Sequence, residues 1–409
     1  MGEQLVVVGL DVGTTKICTL IGEVQGDEVQ VVGVGISPSR GIRKGIVVDM
    51  NEAAAAIATS IKKAETFSGY KIVGAYVGVS GGRIESQLVR GRLPLSDRRP
   101  ISKQDLAEVL DRANPNEIPE GRRVLHLLPK AYVVDGEEGV HNPLGMVASV
   151  IEVEGLLVTA GEAPIENLER CVERAGIQID GLVAAGLASA QAVLTDVEKQ
   201  LGVLLIDFGG GSTDLVWISG KDAQFVGTLP FGGNHITNDL SMVLGVPFAG
   251  AEELKLAVGC ANPDEVPGDE MVDVGAFSDG EEKQVSRRLM AEVVEARVSE
   301  ILELTLEELK KGGFDGVLPA GVVLTGAGAQ LRGLRESIQE FFKVPARAGD
   351  PDGLAGGADS VVSPVYSTSV GLLKWVLAQP GDLVSGRPLN RGGVGFWGRI
   401  SGLFRAFLP

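Results

Sequence analysis

The chain is short of the residues that build metal clusters and cross-linked scaffolds. It has three cysteines (Cys18, Cys171, Cys260) and three histidines (His126, His141, His235) in 409 residues. There is no CxxC, no Cys/His cluster and no HExxH, so zinc fingers and a disulfide framework are excluded and a reducing cytosol is the natural compartment. No run of about 18 apolar residues exists, so no spanning helix is expected. Met1-Gly2-Glu3-Gln4 lacks a basic n-region and Val6 breaks the myristoylation pattern, so neither a secretory signal nor that lipid is expected. Basic charge is also scarce. Lys and Arg number 37 against 54 Asp and Glu, a net of −17, which argues against general nucleic-acid binding. Aromatics are only 5% of the chain.

Glycine is abundant, at 57 residues, about twice the usual share. With 44% hydrophobic residues, rich in Val, Leu and Ala, this fits an α/β protein with many tight strand-to-helix turns. At about 150 residues per domain, two or three domains are expected.

Apolar runs at 5–10, 17–24 and 29–36 predict an antiparallel meander. A helix over 52–67 follows, capped by Asp49 or Asn51 and stopped at Gly69, and then a strand over 72–79. The plan recurs with strands at 203–206, 215–219 and 223–229, a later strand at 322–324 and a helix over 330–342. An Asp-x-Gly turn between two strands thus appears twice, 196 residues apart at Asp11 and Asp207. Two facing copies of one α/β domain are the economical reading. Residues 83–159 interrupt the first copy, with a helix at 102–112 and strands at 131–134 and 147–153. Residues 246–319 interrupt the second, with helices at 252–258 and 284–310 around an acidic 262–282 stretch expected to be an exposed loop. A helix over 164–175 and a strand over 177–184 lie between. The first half is then 1–82, 160–200 and 350–378, and the second is 201–245 and 320–349.

Three turns carry candidate chemistry. In Asp11-Val-Gly13-Thr14-Thr15-Lys16 a strand ends on a carboxylate, a glycine admits a phosphate to backbone N–H groups, two hydroxyls can donate, and Lys16 can add charge. Asp11 suits hydrated Mg²⁺. An ordinary hairpin would use the same residues. Asp207-Phe208-Gly209-Gly210-Gly211-Ser212-Thr213 repeats the arrangement, and three glycines in a hairpin imply close approach to something. Opposed, the two hairpins can grip the phosphates of one nucleotide, with Asp11 and Asp207 at its metal. The turn Gly326-Ala327-Gly328 offers bare backbone for a purine and ribose. Glu252 and Lys255, on one helix face, can meet the ribose and base, or form a surface ion pair.

These residues in this order resemble the actin-like ATPase superfamily. The segments PSRGIRKGIVVD (38–49), VLHLLPKAYVVDG (124–136), AGLASAQAVLT (185–195) and YSTSVGLL (366–373) are similar to the bacterial cell-division family FtsA. The resemblance implies an actin-like (ribonuclease H-like) duplicated fold with an inter-domain nucleotide cleft holding ATP and Mg²⁺. Residues 83–159 would be a small subdomain relocated relative to actin. Residues 246–319 would be the second small subdomain, which binds the C-terminal tail of FtsZ, the tubulin-like ring protein. Arg297 is the candidate contact, or a solvated helix-face arginine. The resemblance further implies self-assembly into filaments at the division septum and recruitment of later division proteins. Chaperones and actin of that superfamily place a Glu or Gln near the connecting segment, here Ala185–Ser189, to orient the attacking water. None occurs here before Gln191, so tight nucleotide binding with slow or absent hydrolysis is expected.

The C-terminal end is legible without any family. From residue 387 onward there are four arginines and no acid, which leaves a net of −21 on the rest. Residues 379–393 are Gly/Pro-rich and linker-like. Within 394–409, Phe396, Trp397, Ile400, Leu403, Phe404, Phe407 and Leu408 fall on one helical stripe, with Arg399 and Arg405 off it. That suits a helix lying in an anionic membrane surface, on the cytoplasmic side. A terminal helix docked on the body is the alternative. Filament formation would add avidity to such a modest anchor. Two other functions share the fold: a PilM-like adaptor of another membrane machine, and a sugar or acetate-type kinase. A chaperone is not expected, because 409 residues leave no room for a peptide-binding domain.

Overall fold

The computed structural model describes residues 5–26, 28–115, 118–277, 283–356 and 361–377. Three Val/Ile-dense strands, Val6–Val12 (β1), Lys16–Gln25 (β2) and Glu28–Pro38 (β3), pair antiparallel as a meander. A two-rung hairpin, Ile42–Arg43 (β4) and Ile46–Val47 (β5), follows. Helix Met50–Ser68 (α1) starts where the Asp49 carboxylate accepts the Asn51 and Glu52 amides, and stops at Gly69 with φ 79°. Its Ala53, Ile57, Ile61 and Ala64 are buried. Gly74–Val79 (β6) returns parallel to β1.

Glu85–Pro100 (β7), helix Lys103–Ala113 (α2), Arg122–Val134 (β8), Glu137–Val140 (β9) and Val147–Gly161 (β10) then build a separate sheet, ordered β7-β10-β8-β9. α2 buries Leu106, Val109 and Leu110 in the small core shared with Ile151 and Leu157 of β10. β7 was not expected from the sequence. It is mostly polar and charged, because cross-strand pairing replaces burial there: Arg90 faces Glu154 and Arg92 faces Glu152 on β10.

The chain returns through Glu162–Arg174 (α3), Gln178–Ala184 (β11), Ala185–Val193 (α4) and Asp196–Leu201 (α5). A second meander follows: Val203–Phe208 (β12), Thr213–Ser219 (β13) and Asp222–Leu229 (β14). Helices Gly233–Leu244 (α6) and Phe248–Val258 (α7), strands Met271–Asp273 (β15) and Gln284–Ser286 (β16), and the long helix Arg287–Lys311 (α8) come next. Val322–Thr325 (β17), Leu334–Phe342 (α9) and Ala346–Ala348 (β18) complete this half. Leu354–Gly356 (β19) and helix Ser367–Leu377 (α10) cross back to the first.

The sheet orders are β11-β6-β1-β2-β3-β19 and β14-β13-β12-β17-β18. Each is a three-stranded meander whose first strand takes a parallel neighbour, β6 on β1 and β17 on β12. This is the duplicated actin-like architecture expected above. The first half's core continues onto the second sheet through Val203, Leu205, Val216 and Val323, and a separate large core fills the rest of the second half.

Three local expectations are corrected. The helix expected over 330–342 begins at Leu334, because Gly333 adopts φ 78° after a short 3₁₀ turn, Ala327–Gln330. The helix expected from residue 284 begins at Arg287, where the Ser286 hydroxyl accepts the Leu289 amide and residues 284–286 pair with β15. The acidic stretch is not simply an exposed loop: Pro263, Val266 and Val274 are buried. Its acids reach basic partners outside it, Arg287 to Glu270, Arg288 to Asp264 and Arg332 to Glu265.

Candidate functional site

Both Asp-x-Gly turns lie at the facing edges of the two sheets. Asp11 ends β1 with Gly13, Thr14 and Thr15 in the turn, and Lys16 opens β2. Asp207 lies in β12, with Gly209, Gly210, Gly211 and Ser212 in its turn and Thr213 opening β13. A Cβ on Gly210 would lie 2.2 Å from Thr15 Oγ1, so the two hairpins are within touching distance. Between them is a cavity of about 110 Å³, lined by Asp11, Gly13–Lys16, Asp207, Gly209–Ser212, Gly326 and Ala327. Thr213 is buried behind it, its hydroxyl donating to the Phe231 carbonyl at 2.8 Å.

A larger cavity of about 410 Å³ adjoins, sharing Thr15, Gly209, Gly210 and Ala327 with the first. Glu252, Lys255 and Gly328 line it. Lys255 Nζ donates to Glu252 at 2.7 Å, to Thr237 Oγ1 at 2.8 Å and to the Gly233 carbonyl at 3.2 Å. The two are an ion pair, yet they sit on the cavity wall rather than on an open surface. Gly326 has φ 82° and ψ 174°, a region open essentially to glycine alone, and a Cβ there would lie 2.3 Å from Asp207 Oδ1. That glycine lets the β17 turn close over the carboxylate.

Several site residues escaped the sequence. Ser189 on α4 donates to Asp207 Oδ2 at 2.6 Å, and Thr368 on α10 donates to the same oxygen at 3.3 Å. Ser369 donates to Asp11 Oδ2 at 3.1 Å. Ser189 lies 18 residues from Asp207, Thr368 161 residues from it, and Ser369 358 residues from Asp11, so no local spacing announces them. Asp214 is the cross-strand neighbour of Asp207 and also lines the smaller cavity. Burial, then the Asp207 charge, pushes the Asp214 carboxyl up to about 8, with the Thr228 hydrogen bond opposing and Asp11 adding a smaller push. Burial raises Asp207 to about 6, with the Ser189 hydrogen bond opposing and Asp11 adding to the rise. Lys16 is part-buried. Burial works against its charge, but the charge of Asp11 at 3.5 Å, then those of Cys18 and Tyr366, outweigh it, and its pKa rises. The donor set around Asp11 and Asp207 is all oxygen, which suits a hard divalent cation. Among the described residues no group of three or more His, Cys, Asp or Glu side chains is placed to hold a metal directly.

Arg297 lies elsewhere, on α8, where it grips Asp239 of α6 at 2.6 and 3.0 Å and also pairs with Glu300. The expected amphipathic segment, Phe396 to Leu408, lies outside the described residues, as does the linker.

Comparison with known proteins agrees with this architecture. The family profile described as "Cell division protein FtsA" matches residues 204–371, and that of the "SHS2 domain inserted in FTSA" matches 81–159. The cell division protein FtsA of Pseudomonas aeruginosa is 39% identical over 380 residues, covering 93% of this chain and 91% of that protein. Those of Escherichia coli K12 and Bacillus subtilis are 35% and 34% identical, covering 91% and 92% of this chain and 90% and 84% of theirs. Among solved structures, the PilM–PilN type IV pilus biogenesis complex aligns with TM-score 0.61 at 17% identity, covering 90% of this chain and 97% of that one. MreB5 of Spiroplasma citri bound to ADP aligns with TM-score 0.55 at 15% identity, covering 91% and 97%. Resemblance that weak in sequence fixes the fold alone, whereas the curated relatives match along nearly their whole length. The chain belongs to the FtsA family of cell division proteins.

Proposed function

We propose that the chain binds ATP with Mg²⁺ between its two halves, assembles into filaments on the cytoplasmic membrane face, and tethers the FtsZ ring there during division. The observation that carries the nucleotide part is the pair of glycine-rich hairpins in near contact, flanked by Asp11 and Asp207 and opening on the Glu252–Lys255 wall. Gly13–Thr15 and Gly209–Thr213 hold the phosphates, and Gly326–Gly328 with Glu252 and Lys255 hold the base and ribose. When bound, the metal neutralises phosphate charge; Asp11 and Asp207 hold its water shell, oriented by Ser369, Ser189 and Thr368. The solved MreB5 relatives are bound to ADP and AMPPNP, which supports an adenine nucleotide here.

Hydrolysis is slow or absent. α4 places Ala185 on the cavity wall rather than Glu or Gln, and its Ser189 is buried and donates to Asp207. Residues 246–319 take the FtsZ tail, with Arg297 at the contact. The stripe from Phe396 to Leu408, backed by Arg399 and Arg405, supplies a reversible anchor to anionic lipid. Later division proteins join the assembled filament.

Vesicle co-sedimentation tests the tethering. The full-length chain with Mg-ATP is expected to pellet with anionic vesicles and to carry FtsZ with it, while a 1–386 truncation does neither. Full-length chain that binds vesicles but leaves FtsZ in solution would overturn the tether. Equal pelleting by both forms would overturn the anchor.

A further inference from the structure

The β4–β5 hairpin lies within the 38–49 segment noted above for its family resemblance but has no role assigned there, and its tip packs on Thr14 and Gly211, two residues that line the phosphate-side cavity. Its tip is Lys44-Gly45. Lys44 has φ 51°, a left-handed conformation unusual for a side chain of its size, so the turn is held by its surroundings. Three neighbours hold it. The Gly45 amide donates to Thr14 Oγ1 at 2.9 Å. A Cβ on Gly81 would lie 2.3 Å from the Lys44 carbonyl oxygen, which wedges the tip against the end of β6. A Cβ on Gly211 would lie 3.0 Å from Lys44 Cα, which places the same tip against the hairpin of the other half.

The Lys44 side chain reaches from the first half to the second. Its Nζ lies 5.6 Å from the centroid of the Phe231 ring, just ahead of α6. Lys44 is exposed, and among the described residues it has no carboxylate within ion-pair distance. Lys16, the cation that the motif itself supplies, is committed to Asp11 and Tyr366. Thr14, by accepting the Gly45 amide, keeps its own hydroxyl proton free to donate into the cavity.

We propose that Lys44 is a phosphate-binding residue: the β4–β5 tip forms a third wall of the nucleotide site, and Lys44 contacts the terminal phosphate of ATP. The inference rests on the ATP reading above. It gives the site a means of telling ATP from ADP, because a cation at the outer end of the phosphate chain gains most from the phosphate that ADP lacks. It also gives the occupied cleft a route outward, since the tip packs on Ser80–Gly81, and Gly82 accepts the Gly161 amide at the root of the inserted sheet.

Equilibrium binding of fluorescent ATP and ADP analogues, with Mg²⁺, to the full chain and to Lys44→Ala and Lys44→Arg tests this. Lys44→Ala is expected to weaken ATP about tenfold while ADP changes less than twofold, and Lys44→Arg to recover most of the ATP affinity. Equal weakening of both nucleotides would show that Lys44 only latches the two halves, and would overturn the proposal. So would unchanged affinities. Wild-type chain that binds neither nucleotide would overturn the ATP reading itself, and this inference with it. Thermal unfolding of each variant checks that a loss is not a folding defect.

Discussion

His126 shows how one side chain joins the inserted sheet to the body. It is buried on β8, its Nε2 accepts the Ala184 amide at 3.0 Å, and its ring lies 5.2 Å from that of Trp375 on α10. Ala184 ends β11 and leads into α4, so this one ring ties α10 to the residue that starts the other helix supplying a hydroxyl to Asp207. Burial lowers its pKa from 6.5 to about 4. The folded state therefore refuses a proton that the unfolded chain binds below pH 6.5, and stability falls as pH drops from there toward 4. By linkage the loss from this group between pH 7 and pH 5 is about 2 kcal/mol. In His126→Gln, whose side-chain oxygen can accept the same amide, that part of the loss is expected to vanish. Urea titrations of both proteins at the two pH values measure it, and an identical acid loss in both contradicts the assignment.

At the scale of elements, α4 and α10 are the pair on which the site rests. Every α4 residue but Gln191 is buried, and α10 buries eight of its residues. They cross so closely that a Cβ on Gly371 would lie 1.8 Å from the Ala188 carbonyl oxygen. Ser189 and Thr368 meet at 2.9 Å across this crossing, beside Asp207. Gly371→Ala is therefore expected to push the helices apart, costing about 1–3 kcal/mol of stability and weakening nucleotide binding together. Denaturant titration paired with a binding isotherm checks this; a variant as stable and as tight as wild type would show that the crossing is slack.

These helices are also where the sequence was least legible. Period is readable when one face is wet, as in α1. A segment buried on all sides, such as Ala185–Val193, shows no stripe. α6 opens on two glycines and offers no recognisable cap. By contrast, the two meanders, α1 with its Asp49 cap and both Asp-x-Gly turns were plain, because their alternation and turn chemistry are local. The carboxylates and glycines of the site were visible; the hydroxyls that orient them were not, because only the fold brings Ser369 to Asp11.

At the scale of the molecule, the duplicated halves meet along the cleft and are also tied by a bidentate ion pair. Arg347 of β18 holds Glu198 of α5 at 2.6 and 2.7 Å and donates to the Val193 carbonyl at 2.8 Å, spanning second half to first. Under the proposed function, nucleotide in the cleft would change the angle between halves, and so the shape presented to the next copy in a filament. The proposed membrane anchor is weak singly and would gain from assembly, so that proposal joins cleft occupancy and tethering in one mechanism. The most direct test is calorimetric titration of the full-length chain with Mg-ATP beside Gly210→Val, whose side chain enters the space next to Thr15. The account predicts one nucleotide per wild-type chain and loss of binding in the variant, with cooperative unfolding retained. A wild-type chain that takes up no ATP, or a variant that binds as tightly as wild type, would contradict it.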